Sequence, residues 1–346
     1  MTFRSRPLPP GVLTVGAVSF TVFAWASAFV SIRSAGAAYS PGALALGRLL
    51  AASVVLAVLL LVRRQGLPPR EARRGILLSG VVWFCGYTVA LNWGERLVDA
   101  GTASLLVNTG PILMALLAAR LLGEALPPRL LAGMGVSFAG AVVVGLSMSS
   151  GDGGSTSVLG VVLCLLAAVA YATGVISQKP ALSYGTPLQI TAYSCLTGTV
   201  ACLPFAGQLL SELPKAPASA TLNMVYLGVV PTALAFTTWT YALARMPAGK
   251  LGATTYAVPA IVVLLSWALL GEVPAWLTLL GGVLCLAGVA VSRYAPRTPR
   301  TPVGDGGAGA GSPVTESPSP AHHSPAHTSP SRTSLSHTAS HERHPS

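Results

Sequence analysis

The sequence predicts an all-α membrane protein in which ten transmembrane helices form two inverted repeats of five helices each. Three observations support this fold class: the composition, an internal duplication, and the placement of the basic residues. Hydrophobic residues make up 52% of the 346 residues and charged residues only 9%, whereas roughly a quarter of the residues in soluble domains are charged. This composition is typical of a chain whose helices face lipid.

Ten apolar stretches are long enough to cross about 30 Å of hydrocarbon as helices. They lie at residues 11–32, 42–62, 75–94, 100–122, 128–147, 157–177, 186–207, 221–243, 250–270 and 275–293. The first stretch follows Arg4 and Arg6 and could be mistaken for a signal peptide. Its counterpart in the second half is internal, so we interpret it as an uncleaved first helix. The short loops between the stretches leave no room for an inserted soluble domain.

The chain is duplicated: residues 100–144 recur without a gap 148 positions later. The first copy contains Ala100, Gly101, Pro111, Leu121, Leu122, Gly123, Glu124, Gly133 and Gly140, which match Ala248, Gly249, Pro259, Leu269, Leu270, Gly271, Glu272, Gly281 and Gly288. Chance rarely preserves a proline, a Gly-Glu pair and two glycines in one register. At an offset of 146, Trp25 aligns with Tyr171. The duplication predicts one repeat at residues 11–147 and a second at 157–293.

Basic residues are sorted by loop in a way that predicts the orientation. With the N-terminus inside, the external loops hold only Arg33, Arg96 and Lys215, and nearly all other lysines and arginines fall on the cytoplasmic side. Both termini are therefore predicted to be cytoplasmic. Five helices per repeat then invert the second half relative to the first, as in many transporters. The net charge of +11 reflects this topology, so nucleic acid is not a predicted partner.

The two ends of the chain lie outside the repeats. Residues 1–10 are predicted to be a cytoplasmic N-terminus, and residues 294–346, rich in Pro, Ser and His, a disordered cytoplasmic tail. All six histidines are in this tail. His322, His323 and His327 could hold a metal weakly, but the tail composition favours a flexible segment. The five cysteines lie in predicted spans without a CxxC pair, which favours reduced packing residues. No metal site and no cofactor are predicted.

The strongest candidates for substrate contacts lie before two prolines near the middle of the fourth and ninth spans. Pro111 and Pro259 each remove a backbone donor and are predicted to kink their helix, which frees polar backbone groups. Paired interruptions in the two halves of a transporter often mark a site near the bilayer midplane. Asn108 and Tyr256, which are equivalent in the repeats, stand three residues before these prolines. The alternative is that both side chains form hydrogen bonds between helices.

Aromatic and polar residues in other spans form a second group of candidates. They are Trp25 with Ser27, Tyr87 with Asn92, Tyr171 with Thr173, and Thr238 with Trp239. Aromatic walls with a few polar groups are suited to organic solutes. The alternative is packing, or a position at the membrane interface, where Trp and Tyr gather. Trp25 and Tyr171 are favoured because they are equivalent in the two repeats.

Three charged residues complete the set of candidates. Arg48 is the one charge inside a predicted span, and its equivalent is Ser194. It could bind an anionic group or take part in gating, or it could form a structural hydrogen bond or extend its side chain to the interface. Glu124 and Glu272 follow the fourth and ninth spans and are predicted to cap free amides at helix N-termini. No Asp, Glu or His falls deep inside the predicted spans.

The repeated pattern resembles a known family. Each half has a proline, then Leu-Gly-Glu, then spaced glycines, which is similar to the EamA family of the drug/metabolite transporter superfamily, over roughly residues 11–293. Arg48 also matches an arginine often found in the second helix of that family. The resemblance implies an inner-membrane carrier with a central cavity between two inverted bundles, commonly an exporter of amino acids, other metabolites or drugs. The long tail is a departure from the family pattern.

The sequence therefore predicts a transporter whose partners are a small-molecule substrate and the lipid bilayer. Export is favoured over import or facilitated diffusion by the resemblance alone. A non-transporting sensor or scaffold is a further alternative. An enzyme is not predicted, because no catalytic constellation such as HExxH or a paired aspartate occurs in the spans. The pattern leaves the substrate and the oligomeric state open.

Overall fold

The computed structural model describes residues 10–98, 103, 106–149, 157–270 and 276–293. The chain divides into two units, Met1–Pro296 and Arg297–Ser346, and every described residue lies in the first. The predicted tail and Glu272 therefore lie outside the described residues. The described part is helical, with twelve α-helical elements that we number in chain order. They are α1 (Pro10–Gly36), α2 (Pro41–Val62), α3 (Arg70–Leu97), α4 (Gly110–Leu122), α5 (Pro128–Ser149), α6 (Val158–Ala181), α7 (Pro187–Ala201), α8 (Ala206–Glu212), α9 (Ala218–Leu243), α10 (Ala248–Ala253), α11 (Ala257–Leu270) and α12 (Trp276–Arg293).

Five of these helices are long and apolar enough to cross a membrane, namely α1, α2, α3, α6 and α9. Helices α7 and α8, joined by a 3-10 turn and bent by 50°, could form a sixth span. Shorter apolar stretches occupy Gly110–Leu122, Pro128–Val144 and Leu279–Ser292. Large apolar side chains such as Leu61 and Leu222 are about 70% exposed or more. A surface of this kind is stable next to lipid rather than water.

Local sequence determines where several helices begin and end. Helix α7 starts with a capping box in which the Thr186 hydroxyl accepts from the Gln189 amide and the Gln189 side chain accepts from the Thr186 amide. A proline is the first residue of α2 and of α7, where its missing N–H has no helical partner to lose. Helix α4 ends at Leu122, and the next residue, Gly123, has a φ of 66°, which is left-handed and favours glycine.

Two π-helical segments interrupt α3 and α9 at equivalent places in the duplication. They are Gly80–Tyr87 and Gly228–Leu234, and their first residues are 148 positions apart. A π segment shifts the register of the following turns and is often found at functional sites. Both starting glycines allow a close helix contact. A Cβ added at Gly80 would lie 2.6 Å from the Ser194 carbonyl oxygen, and a Cβ added at Gly228 would lie 2.5 Å from the Arg48 carbonyl oxygen.

Regular helix is also interrupted before both prolines of the candidate site. Asn108 and Thr109 form a turn before α4, and Pro111 is the second residue of that helix. A 3-10 turn, Thr254–Tyr256, separates α10 from α11, in which Pro259 is the third residue. Each proline thus stands in the first turn after a break, where its missing N–H leaves no carbonyl unpaired.

Helices α5 and α12 cross at very short range through glycines. A Cβ at Gly133 would lie 2.6 Å from the Gly288 carbonyl oxygen, and one at Gly140 would lie 2.6 Å from that of Gly281. The helices are antiparallel there, because higher positions on α5 meet lower positions on α12. At the centre, the Ser137 hydroxyl donates to the Cys285 carbonyl at 3.0 Å. Backbones this close require glycine, since any side chain would separate the helices.

Candidate functional site

An aromatic cluster lies where α1, α3, α6 and α9 meet. We define it by its seven rings, which are Trp25, Trp83, Phe84, Tyr87, Tyr171, Phe236 and Trp239. Trp83 stacks on Phe236 with centroids 4.6 Å apart, and Trp25 lies 4.8 Å from Trp239. Offset and edge-to-face contacts of this kind stabilise aromatic pairs. Two equivalent residues of the repeats, Trp25 and Tyr171, meet edge to face at 6.4 Å.

Polar atoms of the aromatic cluster point into the protein interior. The Trp25 indole N–H donates to the Pro231 carbonyl at 3.1 Å, within the π segment of α9. The Trp239 indole N–H is fully buried and has no hydrogen-bond partner among the described residues. The Tyr171 hydroxyl is buried near the Thr255 hydroxyl without forming a hydrogen bond of normal geometry. Buried donors without a protein partner are costly unless a solute or water satisfies them.

Both helix breaks border the Tyr171 ring. A Cβ at Gly110 would lie 2.7 Å from that ring, so the start of α4 can pack against it only with glycine there. On the other side, Tyr256 of the second break lies near the Tyr171 side chain. The Tyr256 hydroxyl is fully buried and donates to the main-chain carbonyl of Asn108 at 3.0 Å. The two equivalent positions of the repeats therefore contact each other directly, and this contact occupies the phenol.

Arg48 is buried on α2 and forms a hydrogen bond with α9. Its Nε donates to the Thr232 hydroxyl at 2.6 Å, and that hydroxyl donates to the Leu227 carbonyl at 2.8 Å. The terminal Nη groups of Arg48 make no hydrogen bond to a described residue. The guanidinium lies near Tyr87 of the aromatic cluster and near Glu95. Only part of its donor capacity is thus used for packing.

A cavity of about 350 Å³ lies at the end of the protein formed by the α1–α2 loop and the end of α3. Its walls include Tyr39, Leu44, Asn92, Glu95 and Arg96. The Asn92 side-chain amide donates to the Pro41 carbonyl at 3.2 Å, while its buried Oδ1 has no partner among the described residues. Arg96 donates to the carbonyls of Gly36 and Tyr39, which holds the loop in place.

An ion pair lies at the opposite end of the helices. The Lys179 ammonium on α6 donates to Glu124, which follows α4, and to the Met246 carbonyl at 2.8 Å. The other Glu124 oxygen accepts from the amide of Gly249 in the first turn of α10 at 3.3 Å. Glu124 thus binds a helix N-terminus in the second half of the chain instead of the next helix along the sequence. Both side chains are largely buried, at 23% and 13% exposed.

The structure brings most of the sequence candidates together. Trp25, Tyr87, Tyr171 and Trp239 share the aromatic cluster. Other candidates form hydrogen bonds between helices. The Ser27 hydroxyl is 2.7 Å from the Tyr226 hydroxyl, and the Thr238 hydroxyl is 2.7 Å from the Thr21 hydroxyl. Thr173 is exposed, outside the cluster. The described residues contain no group of three or more His, Cys, Asp or Glu side chains that could hold a metal ion, and the five cysteines are free thiols.

Sequence reasoning missed four residues of this region, namely Trp83, Phe84, Phe236 and Glu95. Glu95 stands one residue beyond the predicted third span, but α3 continues to Leu97 and brings it into the cavity wall. Trp83 and Tyr87 are four residues apart, as are Thr232 and Phe236. The spacing alone could have suggested a shared helix face, although the π segments change the register at both places.

A helical membrane domain that buries aromatic and polar groups and has a cavity at one end is typical of a solute carrier. Comparison with protein families places this chain more narrowly. The model of the EamA-like transporter family matches twice, at residues 12–146 and 158–294. The chain belongs to the EamA-like transporter family, and it is a multi-pass membrane protein.

Curated relatives are described as transporters. A "Probable terminal-alkyne amino-acid exporter" of Streptantibioticus cattleyicolor is 40% identical over 80% of this chain and 91% of its own length. The "Uncharacterized transporter YdfC" of Bacillus subtilis is 34% identical over 78% of this chain and 88% of its own. A "Probable amino-acid metabolite efflux pump" of Escherichia coli is 26% identical over 60% of this chain and 71% of its own length.

Solved structures share the fold. One of them is a crystal structure of a protein 23% identical to this chain, with a TM-score of 0.67 over 82% of this chain and 96% of its own. The likeness shows the arrangement of the helices and carries no statement about the solute.

Proposed function

We propose that this protein exports a small organic solute, an amino acid or related metabolite or a drug, by alternating access through the aromatic cluster. The observation that carries the proposal is the convergence of Trp25, Tyr87, Tyr171 and Trp239 from four helices. Two buried donors of the cluster, the Trp239 indole N–H and the Tyr171 hydroxyl, have no hydrogen-bond partner among the described residues. The names of two curated relatives, an amino-acid exporter and an amino-acid metabolite efflux pump, support export and the class of solute.

The proposed architecture is ten spans in two inverted repeats, at residues 11–147 and 157–293. The double family match supports these boundaries, and so do the π segments that begin 148 residues apart. The crossing of α5 and α12 supports the inversion. Gly133 meets the equivalent of Gly140, and Gly140 meets the equivalent of Gly133. A two-fold axis between antiparallel helices is perpendicular to both, so it lies in the membrane plane and inverts one repeat relative to the other.

The orientation proposed from the basic residues places both termini in the cytoplasm of a cell with this protein in its plasma membrane. The cavity beside Asn92 and Glu95 then faces outward, and the Glu124–Lys179 pair closes the cytoplasmic side. Opening towards the cytoplasm requires that this pair break, because it joins α4 and α6 to the start of α10.

The proposed substrate contacts follow from this geometry. Trp25, Tyr87, Tyr171 and Trp239 form aromatic walls, and Asn92 and Arg48 lie on the outward side. Asn108 and Tyr256 border the cluster at the two helix breaks, where Pro111 and Pro259 allow regular helix to stop. Since the Tyr256 hydroxyl donates to the Asn108 carbonyl, its contribution to a solute contact would come from the ring.

Transport is tested with inverted membrane vesicles, in which export appears as uptake. Vesicles from overproducing and deletion cells receive a mixture of isotope-labelled amino acids and metabolites, and the retained label is identified by mass spectrometry. We expect uptake that depends on the protein and is lowered by Trp239→Phe. Trp93→Phe is the matched control, since Trp93 is half exposed on α3, away from the cluster. Equal retention in overproducing and deletion vesicles would contradict transport, and uptake confined to right-side-out vesicles would indicate an importer.

The orientation is tested separately by cysteine labelling in intact cells. We expect reagents to reach loop 63–74 and the C-terminal tail only from the cytoplasm, and loop 148–156 only from outside. An external C-terminus would contradict the inverted repeats.

A further inference from the structure

Five arginines lie in residues 63–74, which connect α2 to α3 and form the start of α3, and we call these residues the basic segment. The arginines are Arg63, Arg64, Arg70, Arg73 and Arg74, and all five are exposed. None of them forms an ion pair or a side-chain hydrogen bond with a described residue. The one carboxylate of the segment, Glu71, also forms no ion pair with a described residue. The described part of the protein therefore leaves the positive charge of this surface without a partner.

The start of α3 is electrostatically unfavourable without an anion beside it. The N-terminus of a helix carries partial positive charge and repels cations. Arg70 is the first residue of α3, and Arg73 and Arg74 follow three and four residues later, so the three cations are neighbours on the helix surface. Like charges at this spacing destabilise a helix. An anion that accepts hydrogen bonds from these guanidinium groups would relieve the repulsion.

The basic segment is held in a fixed shape against the start of α7. The Thr186 hydroxyl donates to the Gln65 side-chain oxygen at 2.7 Å, and the Gln189 side-chain amide donates to the Gly66 carbonyl at 3.1 Å. Arg64 has a φ of 51°, a left-handed value that arginine rarely adopts, so the contacts of the segment determine its backbone. A ligand of this surface therefore has little backbone left to order when it binds.

Exposed apolar side chains border the arginines. Leu61 and Val62 are the last two residues of α2 and are 77% and 71% exposed, and Leu67 within the segment is 76% exposed. Because α2 is long and apolar enough to cross the membrane, its last turn lies where hydrocarbon meets the lipid headgroups. A ligand that carries both an anionic head and apolar chains matches this surface. A soluble anion would leave the apolar side chains without a partner.

We propose that the basic segment binds the headgroup of an anionic phospholipid. The lipid phosphate accepts hydrogen bonds from the guanidinium groups at the start of α3, and the acyl chains lie against Leu61 and Leu67. Groups of about four to eight basic residues directly beside a membrane helix are suited to such lipids. A lipid that binds only the folded protein also stabilises it, by an amount that rises with lipid concentration. This inference concerns the lipid and is independent of the transported solute.

The experiment measures thermal unfolding of the full-length protein in detergent as lipid is added. Phosphatidylglycerol is compared with phosphatidylcholine of identical acyl chains. We expect phosphatidylglycerol to reach half of its stabilising effect at a concentration roughly tenfold lower, and we expect added salt to reduce this advantage. If the arginines serve only to orient the protein in the membrane, the two lipids stabilise it equally, and the proposal is overturned. Equal stabilisation by glycerol 3-phosphate, which has no acyl chains, would indicate a soluble anion as the ligand and overturns the proposal as well.

Two charge-matched triple variants locate the site. One combines Arg70→Gln, Arg73→Gln and Arg74→Gln, and the control combines Arg120→Gln, Arg129→Gln and Arg245→Gln. The control arginines are also exposed, but they lie apart from the basic segment, on α4, on α5 and after α9. We expect the first variant to lose most of the advantage of phosphatidylglycerol and the control to keep it. Equal loss in both variants, or no loss in the first, overturns the assignment to this segment. If a variant fails to fold, the lipid comparison on the wild-type protein still decides the proposal.

Discussion

The crossing of α5 and α12 makes a sharp prediction about two glycines on the same helix. A Cβ at Gly133 would lie 2.5 Å from the Ser292 amide nitrogen and 2.6 Å from the Gly288 carbonyl oxygen, whereas a Cβ at Gly135 would have nothing within 4 Å. Real Cβ atoms essentially never come closer than 3.0 Å to such atoms. Gly133→Ala must therefore push the helices apart by about half an ångström against rigid backbone.

The magnitude follows from two opposing effects. Overpacking of a close contact costs about 1–3 kcal/mol, while Gly→Ala inside a helix gains up to about 1 kcal/mol. Gly135→Ala has only the gain, so it should be neutral or stabilising. Gly133→Ala has both the cost of overpacking and the gain in helix propensity. Its free energy of unfolding should therefore be about 1–3 kcal/mol lower than that of Gly135→Ala.

The assay is thermal unfolding in detergent, followed with a thiol-reactive fluorescent dye. Cys285 suits this assay because it is fully buried at the crossing, opposite Ser137. We expect Gly133→Ala to unfold several degrees below Gly135→Ala. Gly288, which faces Gly133 across the crossing, offers a second test, since a Cβ at Gly288 would lie 2.4 Å from the Gly133 carbonyl oxygen. If Gly133→Ala unfolds at the same temperature as Gly135→Ala or at a higher one, the close crossing is refuted. The main support for the two-fold axis is then lost as well.

Four further predictions concern the site, the ion pair and the tail. Tyr256→Phe removes the donor to the Asn108 carbonyl and should lower stability by about 0.5–1.5 kcal/mol in the same thermal assay. Asn108→Ala should weaken transport at an unchanged protein level, whereas reduced abundance with unchanged apparent affinity would indicate a structural role. Lys179→Met removes the bonds to Glu124 and the Met246 carbonyl, so a cysteine at Met246 should react faster with cytoplasmic reagents; an unchanged rate would argue against a closure there. Truncation after Pro296 should leave flux intact at equal membrane abundance, since the tail lacks an apolar face, and loss of flux would show that the tail is required.

The sequence determined the class of this protein and its internal duplication. Long apolar runs with few charges have one stable environment, the bilayer, so the helical membrane fold follows from composition and length alone. The register of Pro111, Gly133 and Gly140 with their equivalents is likewise readable without coordinates. A second alignment, at an offset of 146, paired Trp25 with Tyr171, and their rings meet in the structure.

Which face of each helix points inward was decided by the tertiary structure. In a soluble helix the apolar face marks the core, but lipid is as apolar as a protein interior, so hydrophobicity does not separate the two sides of a membrane helix. Trp83 and Phe236 therefore looked no different from lipid-facing aromatic residues until the π segments of α3 and α9 brought them together. Contacts between distant segments, such as Glu124 with Lys179 and Tyr256 with Asn108, depend on how whole helices pack, and no local pattern encodes that packing.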